Sequence, residues 1–280
     1  MEYIIPEKIE DIEREIGNKR AYYLAGGTDL MVKKKENEID DYLPWVDLSR
    51  LEKLKGIFID EEFLYIGALT TMAELAENDM VIENAKTLSE AASIMGSPLI
   101  RNLATIGGNI ANANPAGDTL PPLYALDAIV NVQKGAEKKE IPICELCTGP
   151  GDNVLECGEI ITMIKIPVTE KGRSIFLKLG PRKALAISKV SLAVWWQTER
   201  NATKDIRIAM GAVGPRCLRA KKTEEMMRGE RLTAELLKEA VLSIQYEPTP
   251  ITDFRSTEEY RREMIGVLFN RAIKKMMVKI

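Results

Sequence analysis

The sequence predicts an α+β protein, on three observations. Short apolar strand-like runs and amphipathic helices alternate up to about residue 170. Beyond Pro167 three strand-like runs follow one another without a helix, and only helices come after them. That order puts an antiparallel sheet with its helices in a C-terminal α+β unit of its own. Two glycine pairs, Gly26-Gly27 and Gly107-Gly108, interrupt the alternation, each within two residues of a threonine and each after an apolar segment.

The elements follow in order. Glu7 to Ile16 reads as a helix with Ile9, Ile12 and Ile16 on one face, stopped by Gly17-Asn18. Ala21 to Ala25 is a short strand running into Gly26-Gly27-Thr28-Asp29, and a helix extends from Asp29 to about Lys35. Trp45 to Leu48 is a strand; Gly56 to Asp60 and Phe63 to Gly67 form a hairpin around Glu61-Glu62. Thr71 caps a helix over 72–77, with Glu74 as its capping-box partner. One helix is expected from Val81 to Met95. From Asn102 to Asp118 glycine and asparagine are too frequent for a regular element, yet charges are too few for a solvated loop. Uncharged polar backbone of this kind suits a buried turn against a cofactor. A helix over 120–128 tolerates Pro121 and Pro122 in its first turn. Strands are expected at 128–133, 160–167, 174–179, 190–197 and 206–213, and helices at 220–228, 233–244 and 257–277.

Composition narrows the function. The 280 residues are 45% hydrophobic and 29% charged, a soluble globular balance, and long enough for two or three compact units. A formal net charge of -3 gives no reason to expect nucleic acid or an anionic membrane as partner. No apolar run approaches the roughly 18–20 residues that span a bilayer, and Met1 to Glu7 lacks the pattern of a signal peptide, so a cytoplasmic protein is expected. The chain has no histidine. Ser-His-Asp and Cys-His catalysis are thereby excluded, and chemistry is expected from a bound cofactor.

The glycine pairs suggest what is bound. Glycines between a strand and a helix let the backbone turn tightly and offer successive N–H groups to a phosphate. Neither pair is a GxGxxG fingerprint or a P-loop. A tight turn is the simpler reading of either pair alone; two pairs in like surroundings favour a ligand without naming it.

The motifs Ala25-Gly26-Gly27-Thr28-Asp29-Leu30, Ile66-Gly67-Ala68-Leu69-Thr70-Thr71, Thr105-Ile106-Gly107-Gly108-Asn109 and Asp118-Thr119-Leu120-Pro121-Pro122 resemble the FAD-carrying subunit of the xanthine dehydrogenase and carbon monoxide dehydrogenase family of molybdenum hydroxylases. The resemblance continues through Gly158 to Pro167, Lys178 to Arg182, Ala209 to Val213 and Arg255 to Arg262, in family order. It implies a two-subdomain FAD-binding fold of the vanillyl-alcohol oxidase/PCMH type, followed by the C-terminal α+β domain. The implied divisions are 1–55, 56–170 and 171–280, with FAD extended between the first two. It implies that Leu24, Ala25, Gly26, Gly27, Thr28, Asp29, Leu30 and Met31, with Thr105, Ile106, Gly107, Gly108 and Asn109, hold the pyrophosphate. Asp118, Ile161 and Lys178 match further cofactor positions. The implied partners are a [2Fe–2S] small subunit and a molybdopterin large subunit, with NAD or another molecule as acceptor. Two other functions stay open at this point: a self-sufficient flavin reductase or oxidase, and a cofactor-free scaffold subunit.

Cys144 and Cys147, with Cys157, have a spacing that invites a metal, but a fourth ligand is far off at Cys217, and buried structural thiols are the expectation. Trp195-Trp196 in one strand should face opposite sides, one to a core and one to an interface. Arg255, Arg261, Arg262, Arg271, Lys274, Lys275 and Lys279 are expected on the solvated face of the last helix.

Overall fold

The structure is a computed structural model that describes residues 2–169, 172–182 and 184–277. Its first sheet is parallel. Trp45–Asp47 lies between Tyr3–Ile4 and Tyr22–Leu24, and the connections carry the helices Ile9–Ile16 and Leu30–Lys35. Parallel neighbours need such crossovers. Ile9, Ile12 and Ile16 fall on one helical face and are buried with Ile4, Val46 and Leu54. The two-residue strand Tyr3–Ile4 carries no sequence signal of its own; it exists because Trp45–Asp47 offers it an edge.

The second sheet is antiparallel, in the order Ile57–Ile59, Phe63–Gly67, Ile160–Pro167, Ile129–Lys134, Glu137–Pro142. Alternation sends Leu64, Ile66, Val130, Val132, Ile164 and Ile166 into one core beneath the helices Met72–Glu77, Lys86–Ile94 and Leu120–Ala125. Its outer strand, Glu137–Pro142, holds Glu and Lys at its exposed positions, which blunts a free edge.

Two expectations for this region need correction. The helix expected from Val81 to Met95 is broken into Asp79–Asn84 and Lys86–Ile94 at Ala85, whose φ of -136° and ψ of 46° are not helical. Asn84 donates its side-chain amide to Met80 O at 2.9 Å and so ends the first piece. The segment read as irregular contains a helix, Ile106–Ala111. Thr105 caps it, and complete burial of Ile106 and Ile110 outweighs the poor propensity of its two glycines.

The third sheet, Arg173–Leu179, Val190–Glu199, Ala202–Gly211 and Leu218–Arg219, is antiparallel and carries the helices Lys221–Met227, Ala234–Tyr246 and Glu258–Met277. It is covered on both faces. Leu192, Val194, Trp196, Ile208 and Met210 pack on the C-terminal helices, whereas Phe176, Ala193, Trp195 and Ala209 join the core of the second sheet's helices. The adjacent tryptophans therefore face opposite sides as expected, but both sit in cores of this chain, which corrects the expectation of one interface ring. Arg219 reaches from the third sheet to Asp127 at 2.6 Å and Tyr124 O at 3.1 Å.

The basic tail is not one solvated face. Arg255 precedes the helix, in a turn where Asp253 pairs with it at 3.3 Å. Arg261 is 4% exposed and donates to Ala212 O, Lys189 O and Asp253. Arg262 donates to Gln245 O. Arg271, Lys274 and Lys275 are exposed as expected, and Lys279 lies outside the described residues. No helix among the described residues is long and apolar enough to cross a membrane.

Candidate cofactor cleft

The first glycine turn leaves the carboxyl end of Tyr22–Leu24 and enters Leu30–Lys35. Gly27 has φ +69°, in the left-handed region that glycine tolerates. A Cβ on Gly26 would overlap the backbone carbonyl of Leu103, so this turn is seated directly against the approach to the second motif. Among the described residues, no hydrogen bond engages the N–H of Gly27, Thr28, Asp29 or Leu30. Successive free donors on a half-buried turn are suited to an anion.

The second motif is built differently. Ile106 N donates to Thr70 O at 3.0 Å, Gly107 N to Ala68 O at 2.9 Å, Gly108 N to Thr105 Oγ1 at 3.2 Å and Asn109 N to Thr105 O at 3.0 Å. A Cβ on Gly107 would stand 2.7 Å from Ala68 Cβ. One on Gly108 would meet only Thr105 Oγ1, at 3.0 Å. Apart from that one tight contact, Gly108 faces open space. Asn109 Oδ1 accepts from Thr119 Oγ1 at 2.6 Å, which leaves Asn109 Nδ2 as a donor without a partner among the described residues.

Adjoining cavities connect these motifs. One of about 590 Å³ is lined by Ala25, Gly107, Gly108 and Ile161, together with Tyr23 and Cys157. A second of about 620 Å³ is lined by Asp29, Lys33, Asn112 and Asn114. A third of about 460 Å³ is lined by Asn109, Asn112, Asn114, Asp118, Leu185 and Ile187. Gly151 is common to the first two, and Asn112, Asn114 and Ala116 to the last two, so the three form one cleft. Leu24, Gly26, Gly27, Thr28, Leu30, Met31, Thr105 and Ile106 line none of these three; they shape the turns beside them. Lys178 lines a neighbouring cavity of about 460 Å³ and pairs with Asp118 at 2.5 Å.

Asp118 is 5% exposed. Burial raises its carboxyl above the usual range, against the charge and hydrogen bond of Lys178 and the hydrogen bond of Ser188. Burial likewise holds the phenol of Tyr23 above its ordinary value. Sequence reasoning missed Tyr23, Asn112, Asn114 and Ser188. Asn112 and Asn114 were legible as an unusual asparagine run; Ser188, in an irregular loop, gave no signal.

The cysteines divide. Cys144 and Cys157 are exposed, which corrects the expectation for them, while Cys147 and Cys217 are buried. Burial pushes the Cys147 thiol up to about 11 and raises that of Cys217. Among the described residues no group of three or more candidate ligands comes together.

The site fits a dinucleotide: free donors on one turn, a bare Cα on the other, and a cleft longer than a single small-ligand pocket. Residues 1–169 match the family described as FAD binding domain in molybdopterin dehydrogenase, and residues 175–276 match the CO dehydrogenase flavoprotein C-terminal domain. The chain belongs to this family of flavoprotein subunits; it is an FAD-dependent oxidoreductase subunit, and FAD is its cofactor. Among particular relatives, it is 29% identical to the glyceraldehyde dehydrogenase medium chain of Sulfolobus acidocaldarius over 98% of this chain and 97% of that one. It is 32% identical to the nicotinate dehydrogenase FAD-subunit of Eubacterium barkeri, over 92% of this chain and 87% of that one. A chain of the carbon monoxide dehydrogenase from Hydrogenophaga pseudoflava superposes with a TM-score of 0.93 at 26% identity, covering 98% of this chain and 96% of that one.

Proposed function

We propose that this chain is the electron-transfer subunit of a multi-subunit molybdenum hydroxylase. It stands between a [2Fe–2S] small subunit, supplied by a molybdopterin large subunit, and NAD or another acceptor, in the cytoplasm. The observation that carries the cofactor's placement is the row of free N–H groups from Gly27 to Leu30 beside the cleft that bare Gly108 lines. The two turns would hold the pyrophosphate. Tyr23, Ala25 and Ile161 would line the adenosine end, and Asn109, Asp118 and Lys178 the ring end. The chain is organised as 1–55 and 56–170 around the cofactor, with 171–280 closing its ring end.

When bound, FAD supplies conversion between one-electron and two-electron carriers. The protein's share is to bind, orient and limit access. Nothing among the described residues resembles a molybdenum pocket. Its four cysteines cannot supply the eight thiolates of two [2Fe–2S] clusters, so electrons arrive from another polypeptide.

The test uses the full chain. It should purify yellow and release FAD, not FMN, on acid precipitation. Alone it should oxidise no purine, aldehyde or carbon monoxide. Mixed with its iron–sulfur and molybdenum partners it should show substrate-dependent flavin bleaching. Turnover by the isolated, metal-free chain would overturn the reading in favour of a self-sufficient flavoenzyme.

A further inference from the structure

One loop closes on one buried carboxylate from both of its ends. Asp118 Oδ2 accepts from Lys178 Nζ at 2.5 Å, and Asp118 Oδ1 accepts from Ser188 Oγ at 2.7 Å. Lys178 lies near the end of the strand Arg173–Leu179, and Ser188 lies just before Val190–Glu199. Between them the chain builds cavity wall: Leu185, Ala186 and Ile187 face the cavity that Asp118 lines, and Arg182 and Leu185 face the one that Lys178 lines. The neck of the loop is closed by Lys189 N donating to Leu179 O at 2.8 Å. Its middle is held by Arg182 on Leu185 O at 2.5 and 3.0 Å.

Ser188 is 1% exposed, so its hydroxyl is not a surface group that happens to meet Asp118. A buried carboxylate needs its oxygens paired, and an ammonium with three donors can satisfy either of them. Lys178 alone therefore does not settle which way the carboxylate is turned. The serine does, because it occupies Oδ1 and leaves Oδ2 to the ammonium.

We propose that Ser188 is a positioning residue of the cofactor site: it fixes the rotation of the Asp118 carboxylate and, through it, the place of the Lys178 ammonium beside the cofactor. The inference rests on the placement of FAD proposed above. Without the hydroxyl, Oδ1 is buried with no donor. The carboxylate then turns both oxygens to Lys178 and draws the ammonium away from the cavity. A positive charge further from the ring end stabilises added electrons less, so the midpoint potential of the bound flavin falls. The loop wall loosens with it.

The experiment compares full-length chain loaded with FAD as wild type, Ser188→Ala, Ser188→Thr and Lys178→Met. It reads the FAD dissociation constant, the visible absorption band and the midpoint potential. Ser188→Ala should weaken FAD by about tenfold, the scale of a hydrogen bond to a charged group, lower the potential and shift the band. Ser188→Thr, which keeps the hydroxyl, should restore all three. Should the alanine chain not fold, Ser188→Cys keeps the volume with only a weak donor and should lower the potential part-way. An unchanged potential and band in Ser188→Ala or Ser188→Cys, with Lys178→Met altering both, overturns the positioning role alone. If Lys178→Met alters neither, the placement of the ring end fails, and this inference fails with it.

Discussion

The two glycine turns look alike in sequence and do opposite work. Each pairs a glycine pressed on another segment of the chain with a second, Gly27 or Gly108, whose Cβ would meet only side-chain atoms at 3.0 Å or more. Gly26 is pressed on the Leu103 carbonyl and Gly107 on Ala68, so each lets two pieces of backbone approach. The difference lies in the donors. In the first turn the N–H groups from Gly27 to Leu30 are uncommitted, whereas in the second those of Ile106 to Asn109 are all spent inside the protein. In the proposed site one turn offers hydrogen bonds and the other offers shape. A pyrophosphate needs both, and a sequence in which both are written Gly-Gly does not distinguish them.

Substitution separates these jobs. The largest expected effect is Gly26→Ala, because its new methyl meets a backbone carbonyl that cannot rotate away. A loss on the order of 3 kcal/mol is expected, visible as a lower melting temperature of the FAD-free chain. Gly107→Ala comes next. Its contacts, the Ala68 methyl at 2.7 Å and the Ala68 carbonyl oxygen at 2.8 Å, are less close than the overlap at Gly26, and the helix gains propensity in exchange, so a net loss of about 1–2 kcal/mol is expected in the same melt. Gly108→Ala should leave the FAD-free chain within about 1 kcal/mol of wild type. It should still weaken FAD by about tenfold, read by flavin fluorescence titration. Equal FAD affinity in Gly108→Ala would break the comparison, since it would leave the second turn no contact with the ligand.

The smallest expected effect is that of acid, and its sign differs between the two regions. Asp47, at the end of the strand beside the first turn, is held below the usual carboxylate range: burial opposes this, but hydrogen bonds from Ser49 and Tyr3 and the charge of Arg50 outweigh it. A depressed value contributes stability above the unfolded value of about 3.9, lost as pH falls through the folded one. Asp118, just beyond the second motif, is raised. Its share is present at low pH and lost as pH rises. Hydrogen exchange corrected for intrinsic rate should therefore show Tyr22–Leu24 losing protection as pH falls below about 4, with Ile106–Ala111 keeping or gaining it. Loss of both together would merge the regions.

Much of this was legible in the chain. Phe63–Gly67 and Ile160–Pro167 stand where alternation put them, because each buries one face. The glycine motifs stood out because so little else explains uncharged polar backbone. What was not legible depends on partners distant in sequence. Nothing around Arg261 indicates that a basic residue on a helix would turn inward to carbonyls of residues 189 and 212. Nothing near Ser188 announces an aspartate 70 positions earlier. Ile106–Ala111 is helical against its own glycines because two isoleucines are wanted in the core.

The neighbouring tryptophans of the third sheet have a consequence for how this polypeptide can be divided. Because Trp195 is roofed by one set of helices and Trp196 by another, the sheet between them is a party wall rather than an outer wall. A fragment that stops near residue 170 would keep its glycine turns, yet bare the sides of Lys86–Ile94 and Leu120–Ala125 that pack on this wall. The complementary fragment would bare Phe176 and Trp195. Each half would carry a greasy flank fitted to the other. Genetic splitting at that point should yield two sticky pieces that recover solubility only when made together.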